Sequence, residues 1–268
     1  MEKGHSLNKM SLWKRPVSFA FFVSYVYQKK GGMHMKKRLM ELVFILDRSG
    51  SMGGLESDTI GGFNGMIQKQ QKEEGEVNVT TVLFDDQIDV IHDRFPLSVV
   101  QPLTEEDYFV RGTTALLDAI GSTVKKMENI QKRLPEDMKA EKILFVITTD
   151  GMENASQEYT VKMVKSMIEK EQERGWQFIF LGANIDAVKE AEKIGVHRSH
   201  AASYKNDSKG VGMNFAAAES IVKCMRRTDC TKEEMELEIP KFLKPVRDHL
   251  KENKNFPLIR QKLWMPKE

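Results

Sequence analysis

Asp47, Ser49 and Ser51 occupy alternate positions directly after the apolar run 42–46. An apolar run that ends in this pattern predicts a buried strand with one carboxylate and two hydroxyls on the loop at its carboxyl end. Ligands bind at that end of the strands in open α/β sheets. Hard oxygen donors, with no cysteine or histidine among them, suit a hard cation such as Mg²⁺. The same residue types also cap helices well, so the pattern alone leaves a simple helix N-cap as the alternative.

Two more groups of oxygen-bearing side chains follow later in the chain. Thr113 and Thr114 precede an amphipathic helix, and Asp150 with Gly151 follows the apolar run 143–149. In a right-handed doubly wound sheet the loops that carry these residues emerge at the same edge as the first loop. We therefore expect all of them to converge on one point. Taken singly, the threonines are explained by helix capping and the Asp-Gly pair by a turn.

The segments between these motifs alternate between strand and helix patterns. Apolar and β-rich runs predict strands at 42–46, 77–84, 88–91, 143–149, 178–181 and 201–204. Helical spacing of apolar residues predicts helices at 56–74, 112–134, 159–174, 185–194 and 210–225. This order predicts an α/β fold, a doubly wound and mostly parallel sheet with helices on both faces. The turn after Phe84 predicts a hairpin, and therefore one antiparallel edge strand.

The motif set resembles the von Willebrand factor A (vWA) domain, the fold of the integrin I domains. The metal-ion-dependent adhesion site (MIDAS) of that family has the pattern D-x-S-x-S, followed by T and then D. The resemblance covers roughly residues 41–225, and Gly-Thr-Thr-Ala-Leu-Leu-Asp-Ala-Ile at 112–120 is similar to the threonine loop of bacterial members. Arg48 replaces the commoner small residue between Asp and Ser, and this form is frequent in bacterial members.

The resemblance implies a role for each residue of the candidate metal site. Ser49 and Ser51 would coordinate the cation directly through their hydroxyls. Thr114, which fits the family position better than the threonine before it, would do so in the ligand-bound form. Asp47 and Asp150 would act mostly through bound waters and by orienting the serine hydroxyls. The cation would be Mg²⁺, with Mn²⁺ or Ca²⁺ as alternatives.

Neutral hydroxyl ligands would leave much of the cation's positive charge in place. An Asp or Glu side chain of a partner protein could then displace a water and complete the octahedral shell. We therefore expect a divalent-metal-dependent protein-binding module, and no enzyme. Intracellular members of the family that the chain resembles often act beside AAA-type ATPases, so such a system is the expected setting of the partner. Extracellular members serve adhesion.

A Mg²⁺-dependent hydrolase, phosphatase-like, is the alternative from another class. Phosphatases of the haloacid-dehalogenase type need a second Asp two residues after the first, where this chain has Ser49. The glycine-rich segment 50–54 fits neither the dinucleotide fingerprint nor the Walker pattern. The histidines are predicted to lie in loops or tails without metal or triad spacing, and His197 and His200 to lie at the surface. The six are His5, His34, His92, His197, His200 and His249.

Composition bears on the expected partners and on the compartment. The 268 residues include 41 basic and 39 acidic side chains, and the resulting net charge of +2 gives no reason to expect nucleic acid or an anionic membrane. Cys224 and Cys230 are too few for a disulfide scaffold or a zinc pattern, and they favour a reducing compartment. Because a clean signal peptide is also missing, we expect a cytoplasmic protein.

The predicted vWA domain spans residues 37–228 and is flanked by two segments of different character. In the extension 1–36, the apolar run 17–27 resembles a signal-peptide core and is too short to span a bilayer. Three interpretations stay open: a start codon assigned too far upstream, a signal or membrane-surface segment of an exported adhesion protein, or a genuine structured extension. Residues 229–268 are predicted to form a charged tail, loosely packed or partly disordered, because four prolines interrupt it.

Overall fold

The structure is a computed structural model that describes residues 38–183 and 185–252. The predicted extension at 1–36 and the end of the predicted tail at 253–268 lie outside the described residues. Among the described residues, no helix has the length and apolar character needed to cross a membrane.

Six strands form one sheet in the order β3-β2-β1-β4-β5-β6. Every neighbouring pair is parallel except β2 and β3, which form an antiparallel hairpin at one edge. The strands are β1 (Leu39–Asp47), β2 (Glu76–Phe84), β3 (Ile88–Pro96), β4 (Lys142–Thr149), β5 (Gln177–Ala183) and β6 (Ala201–Tyr204). The prediction of a mostly parallel, doubly wound sheet with one antiparallel edge strand is confirmed.

Helices cover both faces of this sheet. They are α1 (Glu56–Gln70), α2 (Leu116–Arg133), α3 (Val161–Glu173), α4 (Ala187–Lys193), α5 (Ser208–Arg226) and α6 (Lys232–Glu252). Helices α1, α5 and α6 share one hydrophobic cluster with the sheet, and α2, α3 and α4 share the other. The sequence patterns locate the five parallel strands to within three residues at each end, because a parallel sheet between two helical layers needs nearly continuous apolar runs. The antiparallel strand β3 extends to Pro96, five residues beyond its predicted end.

Strand β1 lies at the centre of the sheet and positions the predicted metal loop. Leu42, Phe44 and Leu46 face the α1 side, Val43 and Ile45 face the α2 side, and all five are fully buried. The chain runs outward from β1 to β2 and β3 and then crosses back to β4 on the other side of β1. The carboxyl ends of β1 and β4 therefore flank the point where the strand order reverses, which is where open α/β sheets bind ligands.

The C-terminal segment differs from its prediction. Residues 232–252 form α6, so a loosely packed or partly disordered tail is wrong for this part of the chain. Met235, Ile239, Leu243 and Val246 recur at helical spacing, and they are buried against α5 and β6. The burial of this apolar stripe outweighs the cost of the two prolines inside the helix.

The histidine predictions also need correction. His92 lies in β3 and His249 in α6 rather than in loops or tails, and both are buried. His200 is buried, so its predicted surface position is wrong, whereas His197 is exposed as expected. Cys224 and Cys230 are free thiols whose sulfurs lie 3.6 Å apart.

Candidate metal site

Asp47 ends β1 with its carboxylate fully buried and both carboxylate oxygens in use. Oδ1 accepts the backbone N–H of Ser49 at 2.7 Å, and Oδ2 accepts the hydroxyl of Thr149 at 2.6 Å. The carbonyl of Asp47 accepts the hydroxyl of Tyr108 at 2.5 Å. Burial raises the pKa of Asp47, and the hydrogen bonds from Thr149 and Ser49 only partly offset that rise. The carboxylate therefore orients the first loop through the backbone of Ser49.

The two serine hydroxyls connect this loop to Asp150. The Oγ atoms of Ser49 and Ser51 hydrogen-bond across 3.1 Å, and the Ser51 hydroxyl donates to Asp150 Oδ1 at 2.5 Å. Neither hydroxyl caps a helix. Ser49 precedes the short 3-10 turn Gly50–Met52 without a side-chain capping bond, and α1 starts at Glu56, seven residues after Ser49, with Leu55 as its N-cap. The N-cap interpretation of the Asp-x-Ser-x-Ser pattern therefore does not describe this loop.

Gly151 marks the point on which the hydroxyls converge. A Cβ built there would lie 3.1 Å from Thr114 Oγ1, 3.3 Å from Ser51 Oγ and 3.9 Å from Ser49 Oγ. The absence of a side chain at this glycine leaves the space between the three hydroxyls open. The structure thus brings together hydroxyls from two loops that are distant in sequence.

The two threonines of the loop before α2 differ in burial. Thr114 is buried and faces the site, whereas Thr113 is exposed. Helix α2 begins at Leu116, later than predicted, and its N-cap Ala115 makes no side-chain capping bond. Neither threonine therefore caps this helix, which leaves the Thr114 hydroxyl free of that role.

Asp150 follows β4 and is almost fully buried. Burial raises its pKa to about 6, the nearby charge of Asp47 adds to the rise, and hydrogen bonds from Ser51 and Asn206 oppose it. Among the described residues, no lysine, arginine or histidine forms an ion pair with Asp47 or Asp150. Two buried carboxylates without a protein counter-charge, surrounded by hydroxyl oxygens, fit a hard divalent cation.

The donor set is unlike that of a histidine or cysteine metal site. Within residues 38–183 and 185–252, no three His, Cys, Asp or Glu side chains cluster as metal ligands. The candidate site has two carboxylates, and its other donors are the neutral hydroxyls of Ser49, Ser51 and Thr114. This composition suits an oxygen-preferring cation that retains water ligands.

Sequence reasoning missed the buried ion-pair cluster beside the site. Arg48 is buried and pairs with Asp85 at 2.8 Å, and it also pairs with Asp89. Arg111 adds a second bond to Asp85 at 2.7 Å. An arginine in the candidate metal loop, directly after a buried strand, indicates that a buried acidic side chain pairs with it. No local pattern indicates which of the acidic residues pairs with this arginine.

Comparison with known proteins supports the fold. The sequence matches no protein-family model and no curated protein sequence. The vWF domain of the type V pili tip protein Mfa5 from Porphyromonas gingivalis matches with a TM-score of 0.53 and 10% identity, over 71% of this chain and 97% of that one. The pilus adhesin SpaC from Lactobacillus rhamnosus GG, in its open conformation, matches with a TM-score of 0.52 and 10% identity, over 74% of this chain and 31% of that one.

A third match is proximal thread matrix protein 1 from the mussel byssus, in a structure with a zinc-occupied MIDAS motif. Its TM-score is 0.44 and its identity 13%, over 76% of this chain and 46% of that one. The chain thus spans less than half the length of the byssus protein and of SpaC. At these identities the likeness concerns the fold alone, and the chain has the fold of a von Willebrand factor A domain.

Proposed function

We propose that this protein is a divalent-metal-dependent protein-binding module that captures an acidic side chain of a partner. The observation that carries the proposal is the pair of buried carboxylates, Asp47 and Asp150, which have no counter-charge among the described residues. Three hydroxyls from two loops surround the open space at Gly151 beside them. A bound cation would balance the two carboxylates that the fold buries.

Each residue of the site has a distinct task in this proposal. Ser49, Ser51 and Thr114 supply neutral hydroxyl oxygens to the cation. Asp47 orients the Ser49 backbone, because both of its carboxylate oxygens already accept hydrogen bonds. Asp150 holds the Ser51 hydroxyl. A bound Mg²⁺, or Mn²⁺ or Ca²⁺ in its place, would supply a Lewis-acidic position at which a partner's carboxylate completes the coordination shell.

An enzyme is the less favoured alternative, since the base that the serine hydroxyls contact is Asp150, whose charge the proposed cation would balance. A serine nucleophile requires a base within hydrogen-bonding distance. The Ser49 and Ser51 hydroxyls bond each other and Asp150, and neither bonds a histidine among the described residues. Assays of phosphomonoester and nucleotide hydrolysis with Mg²⁺ test this. Turnover that disappears in Ser49→Ala would contradict a purely binding role.

We place the protein in the cytoplasm, as an adaptor whose partner belongs to an AAA-type ATPase system. The low cysteine count supports this setting. The alternative is a surface adhesion protein, since the matched structures include a pilus adhesin and a pili tip protein. Fractionation of the native host separates the two settings, because an adhesion protein would be recovered from the cell surface.

The test of the function is affinity capture from the native host with the full chain as bait. We expect partners that are captured with Mg²⁺, released by a chelator and recaptured when Mg²⁺ is restored. The same partners should be absent with Ser49→Ala or Asp47→Ala. Ser220→Ala is the matched control, because its hydroxyl only bonds a carbonyl within α5. Partners retained in the chelator and by both site variants would contradict the proposal.

A further inference from the structure

Both backbone polar groups of Thr114 are bonded to the segment that follows Asp150. The N–H of Thr114 donates to Asn154 Oδ1 at 2.9 Å. The carbonyl of Thr114 accepts the N–H groups of Asn154 at 3.1 Å and Ala155 at 3.2 Å. The backbone position of Thr114 is therefore set by residues that lie 40 positions away in the sequence.

A second set of bonds ties the same segment to the first turn of α2. Glu153 Oε2 accepts the N–H of Leu117 at 2.9 Å, and the Ser156 hydroxyl accepts the N–H of Asp118 at 3.0 Å. In return, the Asp118 carboxylate accepts the N–H groups of residues 157, 158 and 159. Side chains of one loop thus satisfy the N–H groups at the start of α2 that its own N-cap leaves unpaired.

These bonds join the two loops that carry Thr114 and Asp150 into one unit. The Thr114 hydroxyl lies 3.1 Å from the Cβ position of Gly151, so a small rotation of the Thr114 backbone would move it out of the site. Cation sites tolerate little displacement of their ligands, since Mg²⁺–oxygen distances are held at about 2.1 Å. The placement of this hydroxyl depends on whatever fixes the Thr114 backbone.

We infer that Asn154 is a positioning residue that holds the Thr114 hydroxyl at the cation site through its bond to the Thr114 N–H. The inference rests on the proposed function and adds a residue to it. Among the bonds to Thr114, the one from Asn154 Oδ1 is made by a side chain, so a substitution removes it and leaves the backbone pairing in place. Residues that orient metal ligands typically change metal affinity by about 10–100-fold when they are removed.

The test is a double-mutant cycle with Mn²⁺ as the probe and acetate present as the carboxylate ligand, measured by isothermal titration calorimetry on the full chain. The four proteins are the wild type, Asn154→Ala, Thr114→Ala and the double variant. We expect each single variant to weaken Mn²⁺ binding by about 10-fold or more. The double variant should bind no more weakly than Thr114→Ala, because Asn154 acts through the Thr114 hydroxyl.

Asn64→Ala is the matched control for loss of a loop-anchoring amide. Its side chain likewise holds a distant loop, through two hydrogen bonds to the backbone of Leu103 at 2.9 and 2.8 Å. We expect this control to keep wild-type Mn²⁺ affinity, whatever its effect on thermal stability. Circular dichroism confirms that all variants are folded at the titration temperature, which separates ligand positioning from general loss of structure.

The outcomes distinguish this inference from the proposed function. A wild-type chain that binds no Mn²⁺ overturns both. Wild-type binding that Thr114→Ala weakens and Asn154→Ala leaves intact overturns the inference alone. The inference is also overturned if the two single effects add in the double variant, or if Thr114→Ala has no effect. In either case Asn154 does not act through Thr114.

Discussion

Arg48 Nε donates to Asp85 Oδ2 at 2.8 Å, and both side chains are buried. This ion pair connects the candidate metal loop to the β2–β3 hairpin. Burial opposes ionisation of Asp85, but the hydrogen bonds from Arg111, Gln87 and Arg48 outweigh it, so the pKa of Asp85 lies below its usual value. The residue between Asp47 and Ser49 thus anchors the loop whose hydroxyls face the site.

Replacement of Arg48 by Ala should strongly destabilise the protein. Removing one member of a buried pair leaves the other charge uncompensated, which costs about 3–5 kcal/mol. Arg111→Ala is the matched control: it bonds the same carboxylate, but its side chain is 34% exposed, so water can replace it in part. Urea unfolding without metal measures both. Equal losses of unfolding free energy in the two variants would contradict the claim that the buried Arg48 stabilises the protein more than Arg111 does.

Asp150→Asn should stabilise the metal-free protein while it weakens metal binding. The pKa of Asp150 is raised from 3.8 to about 6, so the folded state binds more protons than the unfolded state between these values. Stability therefore falls as pH rises through this window, and the full penalty, of the order of 1–3 kcal/mol, is present above pH 6. The side-chain amide that replaces the Asp150 carboxylate also offers an N–H donor near Asn206, whose buried Oδ1 has no hydrogen-bond partner in the described structure.

Thermal unfolding between pH 4 and pH 7.5, without metal, measures this difference. The advantage of Asp150→Asn should grow from pH 4 to about pH 6 and then level off. An advantage that is independent of pH, or a variant less stable than the wild type at pH 7.5, would show that the buried charge is not the cause.

Gly151→Ala should weaken metal binding with little change in folding. The new methyl group would lie 3.1 Å from Thr114 Oγ1 and 3.3 Å from Ser51 Oγ, so it would push the hydroxyls apart. We expect about a 10-fold loss of Mn²⁺ affinity by calorimetry. Gly61→Ala in α1 meets no atom within 4 Å, and it should raise stability by about 0.5–1 kcal/mol with unchanged affinity. Unchanged affinity in Gly151→Ala would place the cation elsewhere.

Helix α6 should behave as part of the core. Leu243 is fully buried, and Leu243→Ala should cost about 2–5 kcal/mol of unfolding free energy. Leu237 lies in the same helix but is 67% exposed, and Leu237→Ala should change stability by less than about 0.5 kcal/mol. Urea unfolding of the two variants compares them directly. Similar small losses would mean that α6 does not pack as described.

Local sequence patterns predict much of the fold and indicate the residues that lie together at the candidate site. The apolar runs of β1 and β4 predicted buried parallel strands, and the order of elements placed the residues that follow them at one edge. The Asn154–Thr114 and Arg48–Asp85 bonds join residues far apart in the chain, and no local pattern specifies such pairs. The prolines in residues 232–252 predict an interrupted tail, whereas tertiary burial of the apolar spacing in the same segment stabilises helix α6. The burial of His200 depends on packing against α6, which no local pattern around His200 indicates.

The central claim is that hydroxyls and buried carboxylates hold a divalent cation that keeps a position open to a carboxylate. Water-proton relaxation of Mn²⁺ tests it most directly, because the signal reports waters bound to the protein-held ion. We predict one Mn²⁺ site per chain, a relaxation enhancement that added acetate lowers, and loss of binding in Ser49→Ala but not in Ser220→Ala. Absence of Mn²⁺ binding, wild-type binding by Ser49→Ala, or an enhancement that acetate leaves unchanged would contradict the account.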